Sequence, residues 1–432
     1  MEKSLFRQYV DKWFLPLVLK VVATINGSEN PLTYLHKRML TRVYSPTMKW
    51  GSLGSNGRAV AADVVSLNSS LPLKKRDTIK KAEGDIPKLG MKLYLDEKTL
   101  SELDILEAQN SDGRLDNQIL RLLFADTRKC IEGIDEQLEG MFLQALSSGV
   151  TSITDENNTG TGIRLDFGIP DKNRYGVSAP WSGATAKPID NIEHVISKAR
   201  DAGHAIRFIK MDRGTFNAFR KHDQVRQLFA AGIGFSGSSI PIPNFEQVND
   251  AIGSAYGISI EIIDRTITYE KNGVDVTVSP WTKNAVVFLT GDQVGSLTWS
   301  RLAEMNHPAK QVTYATADEF KLVSKYHKVD PLREFTSGQA IVVPVLGAVE
   351  SIYLMDSEEA DASIADQVEG DAYYTYGGTS YTKQSVVDGL NATNEVPEAT
   401  IDQADSTLSN KINKLSEEGI TTFKSKLVEG AL

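Results

Sequence analysis

Two spacings in this 432-residue chain match motifs that do chemistry elsewhere. Asp155-x-Asn157-x-Thr159-Gly160, with Asp166 at the twelfth position, has the alternating oxygen ligands and glycine turn of a calcium loop. The segment 163–167 that follows alternates like a strand rather than a helix, and its twelfth residue is Asp in place of the longer Glu; a turn rich in Asn and Gly needs the same residues without a metal. Gly232-x-Gly234-x-x-Gly237 has dinucleotide-binding spacing, but it follows a helical pattern and leads to Pro241 and Pro243 instead of opening a helix. A glycine loop is the expected reading. His36, His194, His204, His222, His307 and His327 lie far apart, with no pair at ligand spacing on one helix and no cysteine cluster. Cys130, the single cysteine, falls within a helical pattern, which predicts a buried, inert thiol and excludes an intramolecular disulfide. There is no Gly-x-Ser-x-Gly elbow and no phosphate-cradling loop ending in Gly-Lys-Ser/Thr. No catalytic residue, metal or cofactor is expected.

The remaining candidate is electrostatic. Lys74, Lys75, Arg76, Lys80 and Lys81 form a basic cluster without interleaved aromatic residues, which disfavours stacking recognition of single-stranded nucleic acid. Such a cluster fits contact with acidic groups on a neighbouring copy of the chain, or a solvated loop. The net charge of −9 argues against a protein that grips phosphate backbones. The charge is also unevenly placed: the first hundred residues carry about 17 Lys/Arg against about 9 Asp/Glu, whereas 356–432 carries about 5 against about 15. A basic front and an acidic tail suit head-to-tail contacts between identical copies.

These residues must be positioned by an ordinary globular chain, 41% apolar and 24% charged, long enough for two or three compact units. The one N-terminal apolar run, 13–25, contains Lys20 and Pro16, is too short for a membrane span and lacks a signal-peptide cleavage site. An intracellular, reducing origin is expected. Leu5, Tyr9 and Trp13 begin a helix-like pattern, but Pro16, Asn30-Pro31 and Ser45-Pro46 punctuate it, so 1–46 is predicted to be an arm. Alternation over 60–67 and 91–95, with the lysines between, predicts a long two-stranded excursion. It has too little apolar surface to fold alone.

From 116 to 147, Leu120, Phe124, Ile131, Ile134, Leu138, Met141 and Ala145 recur at helical spacing and predict one spine helix of roughly 45–50 Å. An α/β portion follows: helices over 189–202 and 213–231, strands over 206–210, 258–263, 267–278 (turning at Asn272-Gly273) and 285–289. Residues 330–355 return to a β pattern. In the tail, 373–381 reads as a hairpin over Gly377-Gly378, and Ile401, Ala404, Leu408, Ile412, Leu415, Phe423 and Leu427 mark a second amphipathic helix.

The order of these parts resembles the lambda-like capsid E family, major capsid proteins of tailed bacteriophages with the Hong Kong 97-type fold. Phe14-Leu15-Pro16-Leu17-Val18-Leu19 is similar to the family's N-terminal arm, and Asp63-Val64-Val65 through Lys74-Lys75-Arg76 to Gly84-Asp85-Ile86-Pro87 to its extended loop. The stretch 191–230, with Arg207-Phe208-Ile209-Lys210-Met211-Asp212 between its helices, is similar to the start of the axial domain; 256–289, Arg333-Glu334-Phe335-Thr336 and the strand at Ile341 are similar to the closing part. The resemblance covers most of 1–356 and implies an α+β capsid fold. Its parts would be an N-terminal arm (1–46), an extended loop (47–97), a spine helix with the first part of the peripheral domain (98–187), an axial domain (188–322), peripheral return strands (323–356) and a C-terminal extension (357–432) without counterpart in shorter members. It further implies pentameric and hexameric capsomers in an icosahedral head around double-stranded DNA, without sequence-specific binding and without a membrane. Its partners would be itself, a separate scaffolding protein, a portal and a decoration protein, and its place the virion, assembled in the bacterial cytoplasm. Inter-subunit contacts would come from Lys74, Lys75, Arg76, Lys80 and Lys81 on the loop and from Phe14, Leu15 and Leu17 on the arm. The rivals are an encapsulin-type compartment shell of the same fold and an α/β enzyme with a site in 189–290.

Overall fold

The structure, a computed structural model, describes residues 1–25, 34–54, 80–153, 162–235, 237, 240–271, 273–361, 373–376, 379–397, 399 and 405–427. The first departure from expectation is at the N-terminus. Helix α1 (Arg7–Thr24) runs straight through Pro16. An internal proline costs about 3 kcal/mol, but Tyr9, Val10, Phe14, Val18 and Val21 line one buried face of the helix. At about 1.5–3 kcal/mol for each buried large apolar side chain, that face outweighs the lost hydrogen bond. The segment is therefore part of the chain's own core, where it joins Leu100, Leu103, Ile119, Leu123 and Phe124.

Short α2 (Leu35–Met39) leads into β1 (Leu40–Tyr44) and β2 (Lys49–Gly54); the chain re-enters at β3 (Lys80–Asp85) and β4 (Lys88–Leu95). The strand-like run 60–67 lies outside the described residues. The run 91–95 does not close the excursion as predicted: β2 and β3 pair with each other, while β4 pairs antiparallel with a later strand, Leu95 opposite Glu334 and Lys88 opposite Ile341. After α3 (Glu97–Gln109), capped by Asp96 accepting from the Thr99 N–H at 3.0 Å, comes the expected spine.

The spine is broken. It comprises α4 (Asp116–Leu123) and α5 (Ala125–Ser148), separated by Phe124 at φ −112°, ψ 9°. In an uninterrupted helix the Leu123 carbonyl would accept from Thr127; instead Thr127 N–H donates to Phe124 at 3.1 Å. The freed Leu123 carbonyl accepts from Lys325 Nζ at 2.8 Å. A side chain inserted into the backbone ladder is an established cause of a helix break, and the sequence periodicity, which Phe124 satisfies, carries no trace of it. The 24 residues of α5 span about 36 Å. Gly149, at φ 80°, ends the helix in the left-handed conformation that glycine adopts without strain.

Strands β5 (Val150–Ile153) and β6 (Ile163–Asp166) form a small hairpin, and β7 (Arg174–Val177) follows. The α/β portion contains α6 (Pro188–Asp201), β8 (Phe208–Asp212), α7 (Arg213–Phe219), α8 (Asp223–Gly232), α9 (Phe245–Tyr256), β9 (Ser259–Ile263), the hairpin β10 (Ile267–Lys271) with β11 (Val274–Val278), and β12 (Ala285–Leu289). The chain continues through β13 (Gly295–Ser300), α10 (Ala303–Asn306), β14 (Thr313–Ala317), β15 (Lys321–Val329), β16 (Leu332–Leu346) and β17 (Ile352–Ala360). The tail holds the hairpin β18 (Tyr373–Tyr376) and β19 (Thr379–Thr382), then α11 (Lys383–Thr393), α12 (Asp405–Ile412) and α13 (Glu417–Lys424).

Two sheets organise the body. One runs β1-β13-β16-β15-β14, with β4 added on β16; the other runs β7-β17-β12-β8-β9. Sheet membership thus draws the units differently from the sequence boundaries at 187/188 and 322/323: β7 and β17 belong with β8 and β12, while β13 and β14 belong with β15 and β16. Strand β12 explains the uninterrupted apolar run 285–289. Ala285, Val287 and Leu289 face the core shared with α5, while Val286 and Phe288 face the core covered by α6 to α9. On the first sheet α5 lies so close that a Cβ on Gly338 of β16 would sit 2.4 Å from the Cys130 carbonyl oxygen. Cys130 is fully buried there, and burial pushes its thiol up to about 12, the inert thiol expected. Among the described residues no helix is long and apolar enough to cross a membrane.

Candidate assembly surfaces

Strand β2 pairs antiparallel with β3, Trp50 opposite Gly84 and Gly54 opposite Lys80, which sets the residues flanking 55–79 side by side; 55–79 lie outside the described residues. Trp50 is 3% exposed and its ring lies 5.4 Å from that of Phe167. The glycine across from it is required by contact: a Cβ on Gly84 would stand 2.9 Å from Trp50 Nε1. The Ile86 N–H donates to the Met48 carbonyl at 2.9 Å and closes the base. Of the predicted contact residues, Lys80 and Lys81 are the first two positions of β3, whereas Lys74, Lys75 and Arg76 lie outside the described residues.

The N-terminal contact residues fare differently. Phe14 is 1% exposed and stacks on Phe124 at 6.2 Å, and Leu17 packs against the same cluster. Phe14 is thus held within its own chain's core and Leu17, half-buried, packs against it, because the proline-containing segment is a packed helix. Leu15, 52% exposed, remains on the outer face with Leu19 one turn on.

Between these surfaces lies a buried ionic network that sequence spacing did not reveal. Glu139 and Asp135 sit one turn apart on α5. Glu139 accepts from the Leu35 and His36 N–H groups, at 2.9 and 3.0 Å, and so satisfies the first donors of α2. Its carboxylate also meets His36 Nδ1 at 2.7 Å, and His36 Nε2 faces Asp135 at 3.6 Å. Asp135 pairs with Lys321 at 2.6 Å and with Lys37 at 3.3 Å. Asp318, just before β15, completes the set with Lys321 at 2.9 Å, Lys37 at 3.1 Å and Arg42 at 3.0 Å. The network therefore fastens α2 and β1, which lead into the excursion, to the spine and to the turn between β14 and β15.

Burial pushes the Asp135 carboxyl up, but contact with His36 and the positive charges of Lys321 and Lys37 outweigh it, and Asp135 is held well below the usual carboxylate range. Asp318 is lowered in the same way, its burial overcome by Lys321 and Lys37. A carboxyl whose folded pKa is depressed stabilises the fold fully above its unfolded value, about 3.9, and loses that contribution as pH falls through the window below it. The urea midpoint is accordingly expected to drop between pH 5 and pH 3, and the Asp135→Asn variant to show a shallower drop.

The arrangement has no catalytic geometry: Asp135 and Asp318 are matched by lysines, and Glu139 by the N–H groups that open α2, instead of facing a nucleophile beside oxyanion donors. Among the described residues no group of three or more His, Cys, Asp or Glu could hold a metal ion. Of the calcium-like loop, 155–161 lie outside the described residues and Asp166 ends β6. Gly232 closes α8 and Gly234 follows at φ 61°, so these glycines sit in the loop before α9 and open no phosphate-binding helix.

The model of the family described as phage major capsid protein E matches residues 18–319. The chain belongs to that family. This capsid protein is a structural component of a phage head, and the matched span runs from within α1 through the excursion's root, the spine and the α/β portion to the turn before β15. A prophage protein of E. coli CFT073 assigned as its capsid protein is similar over 79% of this chain and 98% of its own, with 13% identity and a TM-score of 0.49. The capsid subunit of cyanophage A-1(L) is similar over 78% and 96%, with 11% identity and a TM-score of 0.43. The SrpI encapsulin of Synechococcus elongatus PCC 7942 is similar over 82% and 94%, with 10% identity and a TM-score of 0.35. No curated protein matches the chain.

Proposed function

We propose that this capsid protein assembles with copies of itself as pentamers and hexamers into an icosahedral head that encloses double-stranded DNA. Assembly takes place in the host cytoplasm with a separate scaffolding protein and a portal, and a decoration protein binds the finished shell. The observation that carries the reading is the 25-residue excursion 55–79 on its clamped root, within the span matched by the family. A basic segment of that length is too short to enclose a core of its own and gains its contacts by lying across a neighbour. A closed shell repeats one heterologous contact around axes of different order; a rooted excursion meets differing angles while the two sheets stay rigid. The net charge of −9 keeps the container from adhering to the genome.

The test is charge reversal. Changing Lys74, Lys75, Arg76, Lys80 and Lys81 together to Glu is expected to cut particle yield at least tenfold in negative-stain micrographs and sedimentation, with the subunit's own unfolding transition retained. Unaltered yield would remove the loop contact from the account. Particles filled with a protein cargo in place of DNA would identify an encapsulin-type compartment.

A further inference from the structure

The chain has a fourth hydrophobic core that shares no residue with the other three. It is built from Val386, Val387, Leu390, Leu408, Ile412 and Phe423, with Ala399 and Leu415 at its margin. The elements around it pack on one another: α11 touches α12, α13 and both strands of the β18–β19 hairpin, and among the described residues no element of the body packs on them as extensively. The fit is close, since a Cβ on Gly389 of α11 would stand 2.9 Å from the Phe423 ring.

Polar closure is internal as well. Glu395 accepts from the Ser416 N–H at 2.8 Å and its hydroxyl at 2.6 Å, while Ser416 caps α13 through the Gly419 N–H at 3.1 Å. Asn391 bonds both backbone groups of Ala399. Tyr381, Val396, Ile420 and Leu427 pack against this core, whereas the body exposes Leu15, Leu19, Val43, Tyr44, Ile233 and Ile242. A unit of about 55 residues is within the range that folds alone.

The charge of the segment that carries the module sets where it can sit. Residues 356–372, which begin within β17, carry seven Asp/Glu and no Lys or Arg, whereas 373–427 carry 7 Asp/Glu against 5 Lys/Arg. Packaged DNA repels such a segment. It also lies beyond the family's matched span.

We propose that residues 373–427 form an autonomously folding appendage on an acidic tether, energetically uncoupled from the shell-forming body and carried on the outer surface of the head. The outward placement rests on the function proposed above; the autonomy does not.

Calorimetry of the full-length subunit tests the autonomy. Two transitions are expected: Phe423→Ala abolishes or lowers the smaller without moving the larger, and Asp135→Ala lowers the larger without moving the smaller. A single transition, or a shift of both by either substitution, overturns the proposal. Placement is read on DNA-filled particles with an antibody against the module. Labelling of intact heads is expected, and labelling only after the heads are opened overturns it. If no particle forms, the shell reading fails and the placement with it, while the two transitions still decide autonomy.

Discussion

Replacing Asp135 with alanine is expected to lower the unfolding free energy of the subunit by about 3–5 kcal/mol, read as a fall in the urea midpoint. Asp135 and Lys321 are both fully buried, and Lys321 has its closest charge partner in Asp135 at 2.6 Å. Burial already lowers the Lys321 pKa despite that partner. Deleting the carboxylate leaves the ammonium in a dry site with only Asp318 as counter-ion, alongside Lys37, which has lost the same contact. The desolvation cost is then no longer offset, which is why breaking a buried pair costs far more than the pair contributes net. Pairing Asp135→Leu with Lys321→Met removes both charges at similar volume and is expected to recover most of the loss. Equal losses in the single and paired variants would show that the site contributes packing and not charge balance.

Trp50→Ala is the second large effect, about 3–5 kcal/mol for removing a buried aromatic side chain. Its distinguishing consequence is local. Trp50 fills the space between Phe167 and the glycine at position 84, so its loss unclamps β2 from β3 where the excursion leaves the body. Backbone amides of β2 and β3 are expected to lose hydrogen-exchange protection, while those of β15 and β16 keep theirs, and particle yield should fall even at temperatures where the subunit remains folded. Uniform loss of protection over both regions would mean that the root is not a separate unit.

How much was legible in the sequence depended on whether the signal was local. Strand β12 was found to the residue because five consecutive apolar side chains serve two cores, and α6 because its apolar positions follow one face and a proline opens it. Helix α9 was missed although Asn244 and Gln247 form a capping box at its start; two prolines just before it drew the reading toward a loop. Strand β15 came only with the family resemblance, as part of the return strands 323–356, and not from its own pattern, because Lys321 and Lys325 look like solvent positions, yet both are buried. Their partners, Asp135 and the Leu123 carbonyl, lie some 190 to 200 residues away in the chain, beyond any local pattern. The same distance hid the network around His36. For α1, propensity argued for a break at Pro16 and tertiary burial overruled it. The loop's basic residues were visible by composition, but only the pairing of β2 with β3 separates Lys80 and Lys81, on the root, from the rest.

The ammonium of Lys325 that occupies the gap beside Phe124 has a mechanical meaning. It is held between the Leu123 carbonyl and the Thr336 hydroxyl at 3.0 Å, over the Phe124 ring, and burial lowers its pKa to about 8. The hydrogen bond that the helix does not make at its break is thus supplied by a side chain of the sheet, so β15 and the two spine segments are fastened to one another at this one point. The joint comes with its own lock, and the key is kept on a different strand.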